Sequence, residues 1–223
     1  MKTYCWFIFI ILSFSGTSFA NFEERAVSPN EKVNSLPLSA YANMWWQWTY
    51  TMPVELSPLR DETGVNCHIG QQGDVWFLAG GYGSSEISRT CVVPEGKYIF
   101  FPVINMVYYP RYQKSTYTCT KAKDSAKLNN DTLLYIEVEL DYQLAENPRE
   151  FRISSEECFD LLGMIPKKYN APKVYPSATD GYWIMLKPLT KGEHELTFKA
   201  QYNRIDGSLG EMAQDIKYRL IVK

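Results

Sequence analysis

Hydrophobic positions in this chain follow two periods, one helical and one twofold. Leu38, Tyr41, Trp45, Trp48 and Met52 recur at spacings of three and four, the pattern of an amphipathic helix with one buried face. Ser35 is placed to cap that helix and Pro37 to lie in its first turn. Pro53 ends it, because a residue before proline avoids the helical region. Trp46 falls beside the main stripe, next to Ala42.

Downstream the period becomes two. Leu134, Ile136, Val138 and Leu140 alternate with Leu133, Tyr135, Glu137 and Glu139. The same alternation sets Leu196, Phe198, Ala200 and Tyr202 against Glu195, Thr197, Lys199 and Gln201, and Ile216, Tyr218, Leu220 and Val222 against Lys217, Arg219 and Ile221. Each predicts a strand with one face in the core and one toward water. Residues 75–79, 88–93, 98–104 and 182–187 are shorter strand candidates. Turn chemistry separates the runs at Pro94-Glu95-Gly96, Asp180-Gly181, Lys191-Gly192 and Asp206-Gly207. The expected fold is mostly β: an antiparallel, jelly-roll-like β-sandwich with an N-terminal amphipathic helix. One short helix is expected over 155–162. Ser154-Ser155-Glu156-Glu157 has the Ser-x-x-Glu form of a capping box, Phe159, Leu161 and Leu162 supply an apolar face, and Gly163 can end it.

The first 20 residues read as a signal peptide. Lys2 is the only charge before Glu23, an apolar run extends from Trp6 to Leu12, and Ser18 and Ala20 form a small-x-small cleavage site. The run is short of the roughly 20 residues that span a bilayer, and no later segment is apolar enough for a membrane span. Residues 21–34 are polar and charged, with Pro29, and read as a flexible leader before a single sandwich domain over 35–223. That organisation implies a secreted or periplasmic protein.

Composition narrows the function classes. The net charge is −2 with both signs interspersed, so no basic stripe points to nucleic acid. Aromatic residues make up 15% of the chain, including 16 Tyr and 6 Trp, a load that suits sheet cores and stacking surfaces alike. Past the leader, Cys67, Cys91, Cys119 and Cys158 form an even set, which in an exported chain predicts two disulfides. Sequential pairing, Cys67–Cys91 and Cys119–Cys158, closes the shorter loops; the two other pairings stay open. No Cys-x-x-Cys spacing exists and only His68 and His194 add imidazole, so neither a metal nor a cofactor is expected.

Several local motifs recur together: Trp45-Trp46-Gln47-Trp48, Val75-Trp76-Phe77-Leu78-Ala79-Gly80, Arg89-Thr90-Cys91, the Pro94-Glu95-Gly96-Lys97 turn, Phe100-Phe101-Pro102 with Asn105, Asp180-Gly181-Tyr182-Trp183, and Pro188-Leu189 with Gly192-Glu193-His194. In these the chain resembles an uncharacterised family of exported bacterial proteins. The resemblance spans most of the chain after residue 20, omits Cys119 and Cys158, and implies no particular activity.

Two loops carry candidate chemistry. Between Arg60 and Asp74, the groups Asp61, Glu62, His68, Gln71, Gln72 and Asp74 stand among glycines. Their carboxylates suit hard-cation or acid–base chemistry, although turn formation accounts for the same residue types. A Cys67–His68 nucleophile pair is disfavoured because an oxidised cysteine has no thiolate. The second loop gathers Tyr108, Tyr109, Arg111, Tyr112 and Tyr117 with Lys114 after the strand that holds Asn105. Exposed rings there could stack on a sugar face, with Arg111 as a hydrogen-bonding fork. The reading that results is a binding module for a glycan, an envelope component or an extracellular protein partner. One alternative is a secreted hydrolase acting on polysaccharide or peptidoglycan with its carboxyl pair drawn from Asp61, Glu62, Asp74 and Glu86. Another is a secreted virulence or competition factor.

Overall fold

The computed structural model describes residues 21–110, 116–203 and 210–223. The first 20 residues, Arg111, Tyr112, Lys114 and the expected Asp206-Gly207 turn lie outside the described residues. In chain order the elements are α1 (Phe22–Arg25), β1 (Lys32–Val33), β2 (Leu36–Pro37), α2 (Leu38–Thr51), β3 (Val75–Phe77), β4 (Ser85–Val93), β5 (Tyr98–Tyr108) and α3 (Cys119–Asn130). There follow β6 (Leu133–Leu140), β7 (Gln143–Leu144), β8 (Arg152–Ser154), β9 (Ala178–Leu186), β10 (Gly192–Asn203) and β11 (Glu211–Val222).

The fold is mostly β and sandwich-like. Among the described residues, one sheet has the order β4-β11-β10-β6-β7 and a second the order β3-β5-β9-β8. The sheets are mixed: β4 runs parallel to β11 and β3 parallel to β5, while the other pairs are antiparallel. A fully antiparallel sandwich was the expectation. The difference arises because β3 and β4 are consecutive strands that join opposite sheets, which periodicity within either strand does not encode.

Three layers result. Between the sheets lies one core, with Ile99, Phe101, Ile184, Phe198, Ile216 and Leu220 among its buried members. The alternation of β10 and β11 is realised here: Leu196, Phe198, Ala200 and Tyr202 of β10 and Ile216, Tyr218, Leu220 and Val222 of β11 point inward. In β6 only Val138 and Leu140 are buried; at the strand's start a bulge shifts the register, so that Leu133 pairs with Tyr202 and packs on the core while Leu134 is left exposed. The second core lies between the outer face of the four-stranded sheet and α2, where Trp45, Trp46, Trp48, Phe100, Trp183 and Met185 meet. β9 is therefore covered on both faces and buried throughout. The α2 tryptophans are core residues with satisfied indoles: Trp45 Nε1 donates to Leu78 O at 2.8 Å, Trp46 Nε1 to Thr179 Oγ1 at 2.7 Å and Trp48 Nε1 to Ile69 O at 3.0 Å.

Several expectations are corrected. Residues 21–34 are packed, not a loose leader: Phe22, Ala26, Val27 and Val33 are buried, and Ala26 bridges Leu186 in the sheet. Four apolar contacts in an otherwise polar stretch are enough to seat it. Ser35 does not cap α2. Asn34 and Ser35 have φ of 48° and 68° and form the turn between β1 and β2, leaving Pro37 at the N-cap with no side-chain hydrogen bond.

No α-helix forms over 155–162. The capping-box serines are taken by long-range partners: Ser154 Oγ donates to the buried Asp180 carboxylate, and Ser155 Oγ donates to Asn43 Oδ1 at 2.7 Å while accepting from Thr179 N at 2.8 Å. Instead Cys119–Asn130 is helical, with Thr118 accepting from Lys121 N as its cap and only Ala122, Ala126, Asn129 and Asn130 buried. A face of two alanines and two amides leaves little apolar signal. Asp180-Gly181 is not a turn but the middle of β9. Gly181 is needed there because a Cβ would stand 2.6 Å from Asn105 Cβ and 2.8 Å from Ile104 O.

Both disulfides are present, Cys67–Cys91 and Cys119–Cys158. The first ties the loop before β3 to β4; the second ties the start of α3 to the irregular segment after β8. No helix among the described residues is long and apolar enough to cross a membrane.

Candidate functional site

The 61–74 loop hangs on a buried arginine. Arg89 occupies an inward position of β4 beside Cys91 and Val93 and is only 2% exposed. Its Nη1 donates to Ala79 O at 2.8 Å and Tyr218 Oη at 3.0 Å. Nη2 donates to Gly80 O at 3.0 Å and Pro58 O at 3.3 Å, and Nε donates to Asp61 O. A buried guanidinium is tolerated because its fixed fork of donors meets this cage of oxygens. The cage joins the loop before the 61–74 segment to the exit of β3. The signal for it in the sequence is a charged residue on the inward register of a strand.

The loop spends its polar groups on itself. Asp61 Oδ1 accepts from Thr63 N at 3.0 Å and Gly64 N at 2.9 Å, and Oδ2 accepts from Asn66 N at 2.8 Å. Burial alone would raise the Asp61 pKa, but these backbone donors together bring it below the ordinary carboxylate value. Gln71 completes the edge of β3: its Nε2 donates to Cys67 O and Phe77 O at 2.8 Å, and its Oε1 accepts from Phe77 N at 2.9 Å. Glu62, His68, Asp74 and Glu86 are exposed, and Asp74 meets Lys97 Nζ at 3.9 Å. Among Asp61, Glu62, Asp74 and Glu86, no two share a hydrogen-bond or ion-pair partner among the described residues. No cluster of three metal-ligating side chains occurs among the described residues.

Beside the Cys67–Cys91 bridge is an open cleft of about 500 Å³, lined by Val65, His68, Trp76, Thr90, Val92 and Pro94 among others. It lies where the two edge strands β3 and β4 face each other. Trp76 Nε1 is buried there without a hydrogen-bond partner.

At the opposite end of the sandwich the tyrosines separate. Tyr108 and Tyr109 are consecutive, so they point to opposite sides. Tyr108 packs against the inter-sheet core, and its hydroxyl donates to Asn129 Oδ1 of α3 at 3.2 Å. Tyr109 packs on the α2 side. The two half-buried rings therefore do not share one concavity. Tyr117 is half-buried near Tyr108, and burial raises its pKa. Asn105 faces Gly181 across the ladder, and its Nδ2 is buried without a partner.

Tyr109 finds other company. Its ring lies edge-on to Tyr50 of α2 at 6.1 Å between centroids, the two hydroxyls are 3.4 Å apart, and Trp46 packs behind Tyr50 at 6.0 Å. Tyr82 belongs to the glycine-rich loop between β3 and β4 and is 74% exposed, with Arg60 over its ring at 5.8 Å. Burial first, then the Tyr109 hydroxyl and the nearby Tyr82, raise the Tyr50 pKa above the ordinary phenol value. Tyr50 of α2 and Tyr109 at the end of β5 thus form an aromatic pair, and the Tyr82–Arg60 pair of two loops lies near enough to Tyr50 to influence its ionisation. Of these, only Tyr109 stands out in the sequence. Tyr50 lies off the apolar stripe of its helix, and Tyr82 is flanked by glycines.

His194 is structural. Its Nδ1 lies 2.7 Å from Asp141 Oδ2, and Asp141 also binds Arg25 and accepts from Glu195 N at 2.9 Å. This carboxylate fastens α1 to the turn between β6 and β7. Burial opposes its ionisation, but the hydrogen bonds from His194 and Glu195 and the charge of Arg25 bring its pKa below the ordinary value.

No family model matches this chain, and no curated protein matches it. Among solved structures it is similar to a cysteine protease inhibitor from Entamoeba histolytica, at 12% identity and a TM-score of 0.26, over 67% of this chain and 96% of that one. So little backbone superposes at that score that the likeness carries no argument about fold or function.

Proposed function

We propose that this chain is an exported binding module for a glycan, an envelope component or a protein partner, and that it binds through the Tyr50–Tyr82–Tyr109–Arg60 patch. The observation that carries this reading is the edge-on pairing of Tyr50 and Tyr109 from separate elements, with Tyr82, largely exposed under the Arg60 guanidinium, in electrostatic reach of Tyr50. Tyrosine and arginine supply large contact area, stacking and hydrogen bonding together, and they dominate binding hot spots. Arg111 and Tyr112 come after Tyr109-Pro110 in the sequence and are of the same residue types. Two disulfides suit an oxidising compartment, in keeping with the signal-like first 20 residues.

A glycan array and a pull-down from envelope extract, each run with the unmodified protein and with a Tyr82→Ala/Tyr109→Ala/Arg60→Ala variant, test this reading. The expected result is a ligand retained by the unmodified protein and weakened at least tenfold in the variant, with Tm lowered only slightly. Undiminished binding by the folded variant would move the site elsewhere.

A further inference from the structure

Residues 160–177 leave the sandwich and return to it through a closed neck. Phe159 and Ser177 exchange both backbone hydrogen bonds at 2.9 Å, and Leu161 N donates to Val174 O at 3.1 Å. Asp160 Oδ1 accepts from Leu162 N at 3.2 Å and from Val174 N at 2.9 Å, which holds the two stems together. Phe159 and Leu161 are buried at its base. A compact surface loop with bonded ends is an Ω-loop, a form often used for function.

Beyond the neck the loop presents an unusual surface. Met164 is 42% exposed and Tyr169 66%, and Tyr175, on the returning stem between the two rungs of the neck, is 49% exposed. Lys167, Lys168 and Lys173 are exposed between them. Lys168 Nζ lies 5.0 Å from the Tyr169 ring centre and Lys173 Nζ 4.8 Å from that of Tyr175. None of the three lysines pairs with a carboxylate among the described residues, and no Asp or Glu occurs between Asp160 and Asp180. In a chain of net charge −2, this is a local concentration of positive charge on an apolar, aromatic tip.

We infer that this Ω-loop docks on an anionic lipid surface. The lysines match phosphate headgroups, since a basic cluster is drawn to an anionic membrane over about a Debye length. The tyrosines suit the boundary between headgroup and acyl chain, where one end of the ring is apolar and the other wet. Met164 adds a flexible apolar contact that a soluble polyanion would leave in water. The closed neck keeps the loop ordered beforehand, so little conformational freedom is lost on docking. This surface is separate from the aromatic patch, and its use does not depend on what that patch binds.

Co-sedimentation with phosphatidylcholine vesicles, with and without phosphatidylglycerol, tests the inference. All variants are compared in the same N-terminal form so that residues 1–20 contribute equally. The unmodified protein is expected to bind the anionic vesicles, to bind the neutral ones far more weakly, and to be released by salt. Lys167→Ala/Lys168→Ala/Lys173→Ala should weaken anionic-vesicle binding by on the order of a hundredfold. The matching triple Lys→Arg variant should retain binding, and Tyr169→Ser/Tyr175→Ser should lose part of it on the same vesicles. Absence of binding to anionic vesicles at low salt would overturn the inference, as would an unchanged affinity in the triple-alanine variant. Equal affinity for soluble polyglutamate would also overturn it, because the apolar tip would then play no part.

Discussion

The 61–74 loop and the aromatic end of the sandwich look equally promising as strings of residue types, yet the folded protein treats them in opposite ways. In the loop, Asp61 accepts from three backbone amides and Gln71 bonds three backbone groups. Its most buried polar side chains are thus occupied, and its remaining carboxylates stand in solvent. At the aromatic end, Tyr82 has little of its ring covered and Tyr50 and Tyr109 share a single long hydroxyl contact. A polar side chain beside tightly turning backbone is consumed by unpaired amides, which must find acceptors when buried. A ring at the end of an element has no such claim on it and keeps more of its surface open.

This contrast can be broken first at Arg89. Replacing it with alanine leaves buried carbonyls of Pro58, Asp61, Ala79 and Gly80 without their donor, so urea unfolding should show a loss of about 3–5 kcal/mol. A loss below about 1 kcal/mol would mean that the loop is held by other contacts. Next comes the disulfide at the loop's base, which spans a sequence separation of 24. The Cys67→Ser/Cys91→Ser variant should lose about 3 kcal/mol under the loop-entropy model, measured the same way with the Cys119–Cys158 bridge intact.

The smallest expected effect is the pH dependence set by Asp61. Its folded pKa lies below the ordinary 3.8, so its stabilising share is complete above that value. It is lost as pH falls through the lowered folded value. Asp61→Asn should therefore destabilise near neutrality by about 1–2 kcal/mol and flatten the acid limb of the stability profile. An acid limb identical to that of the unmodified protein would show that the amide bonds of Asp61 do not tune its ionisation. Asp141, also lowered, contributes to the same limb with the same sign and should persist in the variant.

Much of the layered architecture is legible in the sequence because burial imposes a period. The inward rows of β10 and β11 and the apolar stripe of α2 all appear as regular spacing. The missed features share a different cause. The residues 155–162 carry a sound local helix signal, but Ser154 and Ser155 are claimed by Asp180, Asn43 and Thr179, which lie 24 to 112 positions away. α3 gives almost no apolar signal because its buried face is alanine and asparagine. The tyrosine loop could be located but not divided, since the opposite facing of Tyr108 and Tyr109 follows from the strand that carries them into the two cores.

What the chain's own order determined was which residues alternate, which stretch forms the amphipathic helix, and that the four cysteines after residue 34 could close two bridges. Those are properties of neighbours, set by backbone geometry and by the tendency of apolar side chains to leave water. Tertiary structure alone decided that β3 and β4 join different sheets, that Arg89 is caged by carbonyls, and that Tyr50 comes to Tyr109. Such meetings depend on long-range packing, whose partners compete with local preference and prevail wherever a buried polar group has no other acceptor.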